Sequence, residues 1–183
     1  MRHDTAAAQT VAVIVRRETP ADVADIRAVV AAAFATPETP EPIEAPLVDR
    51  LRADAGWLPA LSMVAVADGG EVVGHVVCTR GHVGDTPALG LGPLSVRPDR
   101  QRQGVGLALM HAVLGAADAL GEPLVALLGN PAYYGRYGFR AATDHGVEPP
   151  DPAWGAYFQV RTLSAYRPSM KGGFRYAEPF DGL

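Results

Sequence analysis

The sequence predicts a mixed α/β (α+β) fold, because it combines an antiparallel strand pair with a strand–helix–strand unit. Residues 61–67 and 71–79 are apolar, β-branched runs separated by an Asp-Gly-Gly turn, which is typical of a β-hairpin. Further along, residues 89–96 predict a strand, residues 104–120 a helix with a regular apolar face, and residues 124–128 a continuous apolar strand. The connecting helix makes strands 89–96 and 124–128 parallel or nearly so.

The length and composition of the chain favour one folded domain. Of its 183 residues, 48% are hydrophobic and 20% are charged. We expect a single domain over residues 11–183, preceded by a loose polar tail over residues 1–10. The net charge of -4 provides no positive field for nucleic acid or for an anionic membrane surface. Neither is therefore an expected partner.

The sequence also indicates the cellular compartment. No stretch approaches the roughly 18 apolar residues of a membrane span. The apolar run at residues 11–15 is too short for a signal peptide and is followed by two arginines. Cys78 is the single cysteine and lies in an apolar predicted strand, where a structural thiol is more common than a nucleophile. These features are those of a protein of the reducing cytoplasm.

The N-terminal part predicts one strand and two helices. Residues 11–17 are β-branched and predict the strand, and a Thr-Pro pair then starts a helix over about residues 20–34. Prolines throughout residues 36–42 disfavour helical backbone and predict a loop. A short helix should begin at residue 43 or 46 and continue through residue 52.

The predicted strand at residues 89–96 is irregular. It carries two glycines and a proline, which disrupt a regular ladder and predict a bulged or splayed strand. A glycine-containing turn over residues 81–87 is expected to precede it. The helix that follows should end at Gly121, a residue type favoured after helix C-termini.

The C-terminal third carries weaker signals. Residues 130–137 predict a short aromatic helix, and a Gly-Phe turn then leads into a strand. A proline-rich loop at residues 149–152 precedes another strand at residues 157–163. Residues 168–183 have no clear period, so the pattern assigns them no element.

The segment from Gln101 to Gly106 predicts an anion site. It opens the best-defined helix, where unpaired backbone N–H groups and the positive end of the helix dipole attract phosphate. The amides around Gln103, Gly104 and Gly106 would face the ligand, with Arg100 and Arg102 nearby. The segment lacks the third glycine of a dinucleotide-binding Gly-x-Gly-x-x-Gly motif, and it lacks the Gly-Lys-Ser/Thr of a P-loop. A dinucleotide site and a P-loop nucleotide site are therefore both disfavoured.

Three linked motifs resemble the GNAT superfamily of N-acetyltransferases, within it the YhbS-like subgroup. The first is Gly-Leu-Gly-Pro-Leu-Ser-Val-Arg-Pro at residues 90–98, and the second is Gln-x-x-Gly-x-Gly at residues 101–106. The third is Leu-Leu-Gly-Asn-Pro-x-Tyr-Tyr-x-x-Tyr-Gly-Phe at residues 127–139. The resemblance runs from about residue 13 to residue 142. It implies a GNAT-type, mostly antiparallel central sheet with a splayed pair of parallel strands and flanking helices.

The resemblance implies acetyl-coenzyme A (acetyl-CoA) as cosubstrate. The splayed strand would offer backbone groups of Leu94 and Val96 to the pantetheine amides, and an N–H there would stabilise the oxyanion. The helix-opening segment would hold the pyrophosphate. The cofactor-binding residues implied in this way are Leu94, Ser95, Val96, Gln101, Arg102, Gln103, Gly104, Val105, Gly106, Leu107 and Asn130. Asn130 has a second interpretation as the residue that starts the short helix.

The resemblance also implies two catalytic residues. Tyr134 matches a tyrosine that in many relatives donates a proton to the leaving thiolate, whereas Tyr133 and Tyr137 are expected to be core or rim aromatics. Glu44 fits a Glu-x-x-Leu-Val pattern of the subgroup and is the candidate substrate-binding or base residue, with an exposed helix acid as the alternative.

The histidines carry less signal. His75 and His82 lie in or beside strands, where a structural role is more common. No histidine pair has the spacing of a metal site, so no metal is expected.

Two functions from different classes remain open at this point. The first is an enzyme that moves an acetyl group to a primary amine of a small molecule or peptide by direct attack. The second is a non-catalytic acyl-CoA-binding or sensing module, which would keep the glycine segment without needing Tyr134. A purely structural domain leaves the glycine segment unexplained. By analogy, a homodimer could form through the C-terminal strands.

Overall fold

The computed structural model describes residues 12–181, and the tail predicted over residues 1–10 lies outside them. The strands are β1 (Val13–Arg17), β2 (Ser62–Ala67), β3 (Val72–Val83), β4 (Thr86–Val96), β5 (Leu124–Leu128), β6 (Arg140–Ala141), β7 (Val147–Glu148), β8 (Phe158–Thr162) and β9 (Gly172–Arg175). The α-helices are α1 (Val23–Phe34), α2 (Glu44–Ala53), α3 (Val105–Ala119) and α4 (Pro131–Tyr134). Short 3-10 turns connect several of these elements.

The strands form one mixed sheet. Its order is β1-β2-β3-β4-β5-β8-β6, and β9 pairs with both β3 and β7. The pairs β4–β5 and β7–β9 are parallel, and the other pairs are antiparallel. This confirms the predicted mostly antiparallel sheet, the 61–79 hairpin and the parallel strand–helix–strand unit.

The N-terminal elements also agree with their predictions. Asp22 Oδ2 accepts hydrogen bonds from the N–H of Thr19 at 2.7 Å and from its hydroxyl at 2.8 Å, which fixes the turn that leads into α1. The proline-rich segment 36–42 is irregular, as predicted. Helix α2 begins at Glu44, within the predicted window.

The predicted turn over residues 81–87 is wrong, because β3 and β4 are both longer than expected. β3 continues to Val83 and β4 begins at Thr86, so the turn between them is much shorter. Gly81 lies inside β3, where a Cβ would come within 2.8 Å of the Arg175 carbonyl oxygen and of Phe174 Cζ. Gly81 therefore permits the close approach of β9 from the C-terminal region, a contact that local sequence does not encode.

The irregularity predicted for strand 89–96 is present in β4. β4 has a bulge opposite Val77 of β3. Between the pairs Cys78↔Leu91 and Val76↔Leu94, β4 has two residues, Gly92 and Pro93, where β3 has one. β4 pairs with β5 only through Leu89↔Val125 and Gly90↔Ala126. Beyond Gly90 the two strands separate, and β4 keeps an edge that β5 does not cover.

Helices pack against both faces of the sheet. On one face, α3 buries Val105, Leu109 and Met110 against β2 and β3. On the other face, α1 and α2 bury residues that include Ile26 and Val48. Cys78 is fully buried, and burial raises the pKa of its thiol, which agrees with the structural role expected for it.

A buried polar network lies between β1, α2 and the sheet. His75 is fully buried, and its Nε2 lies 2.9 Å from Ser62 Oγ and 3.4 Å from Glu18 Oε2. Arg52 Nε donates to Glu18 Oε1 at 2.8 Å, and Ser62 donates to the same carboxylate. Burial lowers the pKa of His75, so its imidazole is neutral at neutral pH. The network supports a structural role for His75, as expected.

Replacing Glu18 by Gln should destabilise the protein in a pH-dependent way. Burial would raise the pKa of Glu18, but hydrogen bonds from His75, Arg52 and Ser62 outweigh it and lower the pKa from 4.5 to about 2. A lowered carboxyl pKa contributes stability above about pH 4.5 that is lost as the pH falls toward 2. We expect Glu18→Gln to lower the free energy of unfolding by about 3 kcal/mol at pH 7.

Urea unfolding at pH 7 and pH 3, with the exposed loop variant Glu41→Gln as control, measures this effect. The difference between wild type and Glu18→Gln should shrink at pH 3, whereas Glu41→Gln should resemble wild type at both values. A loss of stability that is equal at the two pH values would contradict the assignment to the Glu18 charge.

Candidate active site

A cavity of about 900 Å³ lies where β4 and β5 separate. Its wall combines the β4 bulge, the end of β5, the first turn of α2, helix α4 and the chain from residue 150 to residue 181. Its lining residues include Glu44, His82, Leu94, Leu128, Tyr134 and Tyr176. The fold thus brings both predicted catalytic residues, Tyr134 and Glu44, to one cavity with the predicted cofactor strand.

Tyr134 is held against the backbone of Gly129. A Cβ on Gly129 would lie 2.3 Å from Tyr134 Cε2 and 2.8 Å from Cδ2, so only glycine leaves room for the ring. The Gly129 backbone is fixed from β8, because its N–H donates to the Tyr157 carbonyl at 2.9 Å and its carbonyl accepts from Gln159 Nε2 at 2.8 Å. On its other sides the ring contacts Tyr133 and Phe139. Tyr134 therefore has one well-defined position in the cavity wall.

The environment of Tyr134 keeps its hydroxyl protonated. Burial, with a smaller contribution from Tyr133, raises the pKa of Tyr134 from 10 to about 12. A phenol with that pKa carries its proton throughout the physiological range. The residue can thus donate a hydrogen bond or a proton to an atom in the cavity.

The uncovered edge of β4 presents backbone groups of Leu94 and Val96. The N–H of Arg97 donates to the Val73 carbonyl at 2.9 Å, so Arg97 directs its polar groups toward β3. Because this direction alternates along a strand, Val96 and Leu94 direct theirs toward the opposite edge. The β4–β5 ladder has already ended at Gly90, so this edge is open.

Ser95 lies between these two residues and faces the other way. By the same alternation its backbone polar groups point toward β3, where it is opposite His75. Its side chain is buried, and its hydroxyl oxygen has no hydrogen-bond partner within residues 12–181. The structure does not bring Ser95 to the open edge, and its contact with a cofactor stays a prediction.

The predicted anion segment has the expected backbone geometry. Gly104 has a φ of +89°, in the left-handed region that favours glycine, and immediately precedes α3. Ala108 N–H donates to the Gly104 carbonyl at 3.0 Å. This is the first hydrogen bond of the helix, so the N–H groups of Val105, Gly106 and Leu107 before it have no acceptor within the helix. Together they form the positive end of a fifteen-residue helix.

The side chains of this segment are mostly engaged with the protein itself. Gln101 Nε2 donates to the Val96 carbonyl at 3.1 Å, and Gln103 Nε2 donates to the Asp99 carbonyl at 2.9 Å. Arg100 lies 3.2 Å from a Glu71 carboxylate oxygen, which offsets its charge. Arg102 forms no salt bridge with the part of the chain that the structure describes. An anion would therefore meet chiefly backbone N–H groups and Arg102.

Two aromatic residues and one amide surround these groups. A Cβ on Gly106 would lie 2.9 Å from Tyr133 Oη, and the Tyr137 hydroxyl donates to the same oxygen at 3.3 Å. Asn130 Oδ1 accepts from the Ala132 N–H at 2.9 Å and so caps α4. Of its two interpretations, the structure shows the helix cap, and contact with the cofactor stays a prediction.

The cavity wall holds several possible proton acceptors, of which Glu44 and His82 come from the central elements α2 and β3 and Asp151, Glu178 and Asp181 from the C-terminal part of the chain. Glu44 is half-buried at the start of α2, so it is both a helix N-terminal acid and a cavity residue. His82 lies near the end of β3 and is paired with Arg175 of β9. The sequence did not indicate His82 as a cavity residue, because the predicted β3 ended before it.

The C-terminal segment contributes much of the cavity wall, although no sequence motif indicated any of its residues. Tyr176, Glu178 and Asp181 line the cavity, together with Asp151 and Trp154 from the preceding loop. This segment has no hydrophobic period, because its aromatic residues pack against distant elements. Its one local signal is an unusual density of aromatic residues.

Within residues 12–181, no group of histidine, cysteine and carboxylate side chains has a metal-binding arrangement. No helix among those residues is both long enough and apolar enough to cross a bilayer.

Comparison with known proteins gives a consistent result. Residues 14–142 match the family described as an acetyltransferase (GNAT) domain. The chain is 35% identical over 167 residues to the uncharacterized N-acetyltransferase YjhQ of Escherichia coli K12, covering 86% of this chain and 88% of YjhQ. It is 33% identical over 153 residues to YhbS of the same strain, covering 82% of this chain and 87% of YhbS.

Two solved structures are similar along almost the whole chain. The structure of E. coli YhbS in complex with CoA has a TM-score of 0.83 and 31% identity, covering 98% of this chain and 96% of that chain. The structure of a GNAT family acetyltransferase from Brucella melitensis in complex with acetyl-CoA has a TM-score of 0.72 and 34% identity, covering 93% of this chain and 99% of that chain.

Proposed function

This chain belongs to the GNAT family and is an N-acetyltransferase, and we propose that it transfers the acetyl group of acetyl-CoA to a primary amine of a small molecule or peptide by direct attack. Membership in the family favours the enzyme over the non-catalytic sensing module. The observation that carries the proposal is the placement of a protonated tyrosine, Tyr134, in the same cavity as the open edge of β4.

The residues present fit acetyl-CoA. The edge of β4 offers the N–H and carbonyl groups of Leu94 and the N–H of Val96, which match the amides of a pantetheine arm, whereas the Val96 carbonyl already accepts from Gln101 Nε2. The α3 N-terminus offers unpaired N–H groups at Val105, Gly106 and Leu107 to a pyrophosphate. When bound, acetyl-CoA supplies a thioester whose carbonyl carbon is open to attack by an amine.

Three tasks then fall to residues of this chain. A backbone N–H near Leu94 stabilises the negative charge that develops on the carbonyl oxygen. Tyr134 Oη, which its raised pKa keeps protonated and its contact with Gly129 holds in place, donates its proton to the sulfur that leaves and regains one from the attacking nitrogen as the amide forms. Glu44 accepts a proton from the incoming ammonium, because only a neutral amine is nucleophilic.

Direct attack is favoured because the chain lacks an accessible thiol nucleophile. Cys78 is the only cysteine, its side chain is fully buried, and burial raises the pKa of its thiol. An acyl-enzyme at that position would need a thiolate exposed to the cavity. The amine itself is therefore the nucleophile that meets the thioester.

The test is release of free CoA thiol by the purified full chain with a panel of amines. The panel contains alkyl and arylalkyl amines, polyamines, and peptides with a free N-terminus or lysine. We expect release that depends on at least one amine, with intersecting rather than parallel initial-velocity patterns. Acetyl-CoA binding without amine-dependent release would overturn the proposal, and parallel patterns would overturn direct attack.

The assignment of the proton acceptor to Glu44 is tested by substituting Glu44 and His82 separately. We expect Glu44→Gln to lower kcat/KM for the amine about 10- to 100-fold, with the loss largest at low pH, where most of the amine is protonated. His82→Gln and the exposed loop control Glu41→Gln should stay within about threefold of wild type. The reverse result, a large loss only in His82→Gln, would assign the role to His82.

Homodimer formation, a cytoplasmic location and a single domain over residues 11–183 stay predictions from the sequence. They do not enter the reaction proposed here.

A further inference from the structure

Tyr176, from the C-terminal segment, packs at the closed end of the cleft between β4 and β5. A Cβ on Gly90 would lie 2.5 Å from Tyr176 Cδ1 and 2.8 Å from Cε1, so the ring rests directly on the Gly90 backbone. Gly90 and Ala126 form the last β4–β5 pair before the strands separate. Two tyrosine rings thus border the cleft, and each packs against a glycine backbone: Tyr176 against Gly90 and Tyr134 against Gly129.

The ring of Tyr176 is held by other aromatic rings and by strand pairing. Its centroid lies 4.8 Å from Phe174, 4.8 Å from Phe180 and 6.3 Å from Phe158. Residue 176 directly follows β9, which pairs with β3 through His82↔Arg175 and Val83↔Phe174. The C-terminal segment is therefore an ordered wall of the cavity.

Tyr176 is half-buried and lines the cavity. Burial raises the pKa of the phenol, so the group is a protonated donor.

The cavity that Tyr176 lines has both apolar and acidic side chains in its wall. Its apolar members include Phe34, Leu47, Leu91, Leu128, Trp154 and Phe180. The carboxylates of Glu44, Asp151, Glu178 and Asp181 line the same cavity with one arginine, Arg175, which disfavours anionic acceptors. An amine with an apolar body matches both properties.

We propose that Tyr176 determines acceptor specificity, and that the acceptor is a primary amine whose nitrogen is attached to an apolar alkyl or arylalkyl segment. The ring of Tyr176 contacts that segment at the closed end of the cleft, while Tyr134 faces the reacting thioester. This inference rests on the proposed function, because it concerns the acceptor of the same reaction.

The experiment compares four amines on the wild-type chain and two variants. The acceptors are 2-phenylethylamine, hexylamine, ethanolamine and spermidine, and thiol release gives kcat/KM for each. We expect wild type to prefer the first two by about tenfold or more over ethanolamine and spermidine. Tyr176→Ala should lower kcat/KM for the apolar amines about 10- to 100-fold and leave ethanolamine within about threefold.

Tyr176→Leu keeps an apolar side chain in the aromatic cluster and is the alternative variant if Tyr176→Ala does not fold. Tyr176→Leu should lower kcat/KM for 2-phenylethylamine more than kcat/KM for hexylamine. Tyr166→Phe, a partly buried tyrosine outside the cavity, is the matched control, and the KM for acetyl-CoA should not change in any variant.

The outcomes separate this inference from the proposed function. Equal losses on all four amines, unchanged values for the apolar amines, or a wild-type preference for spermidine would overturn the role of Tyr176 while leaving acetyl transfer intact. Absence of thiol release with every amine would overturn the proposed function and this inference with it.

Discussion

Replacement of Tyr134 by Phe is expected to lower kcat about 100-fold while leaving the KM for acetyl-CoA nearly unchanged. The ring keeps its contacts with Gly129 and Phe139, so the variant removes only the hydroxyl that donates a proton to the leaving sulfur. A positioned proton donor typically contributes 10²- to 10⁴-fold, and an expected loss at the low end allows for water as a substitute donor. Thiol release at saturating acetyl-CoA measures the effect.

The pH dependence of wild-type activity gives an independent check on this role. Because burial raises the pKa of Tyr134 to about 12, the hydroxyl should not limit activity on the alkaline side below about pH 11. Tyr133→Phe and Tyr166→Phe are controls, since neither hydroxyl is assigned a proton transfer. A Tyr134→Phe variant with full kcat, or a Tyr133→Phe variant with the same loss, would remove Tyr134 as the donor.

Replacement of Gly129 by Ala should impair turnover as strongly, although Gly129 has no side chain to contribute. The added Cβ would lie 2.3 Å from Tyr134 Cε2, and hydrogen bonds to Tyr157 and Gln159 prevent the Gly129 backbone from moving away. The Tyr134 ring must therefore leave its position. We expect kcat to fall about 100-fold, with a loss of about 1 to 3 kcal/mol in the free energy of unfolding.

The matched control is Gly115→Ala in α3, where an added Cβ has nothing within 4 Å. That variant should keep full activity and gain roughly 0.5 to 1 kcal/mol of stability, because alanine is a better helix former than glycine. In the double variant Gly129→Ala/Tyr134→Phe, the losses in kcat should not multiply, since both act through the same hydroxyl. Multiplicative losses would show that Gly129 acts on turnover by another route.

Much of the site's donor half could be inferred from the sequence because its signals are local. The left-handed glycine at Gly104, the apolar period of α3 and the glycines of β4 each constrain backbone conformation within a few residues. The N–H groups that a helix start leaves without an intrahelical acceptor can bind an anion whatever the side chains are. The same locality explains why α1, α2 and β5 lie where their patterns predicted.

The acceptor half of the site could not be inferred in this way. Its wall joins Glu44, His82, Leu128 and Tyr176, which come from four separate parts of the chain. Gly81 and Gly90 illustrate the difficulty. In the sequence they indicate turns or irregular strands, and only the fold shows that each leaves room for the C-terminal segment.

The sequence by itself determined the order of strands and helices from β1 to β5, the irregular β4, the helix N-terminus that opens at Gly104, and the placement of Tyr134 after β5. Those features depend on φ preferences, period and spacing, which operate over short stretches of chain. Only the tertiary structure decided that β3 extends to Val83, that Ser95 faces away from the open edge, and that Tyr176 closes the cleft. These depend on strand pairing between residues far apart in sequence, for which no local pattern exists.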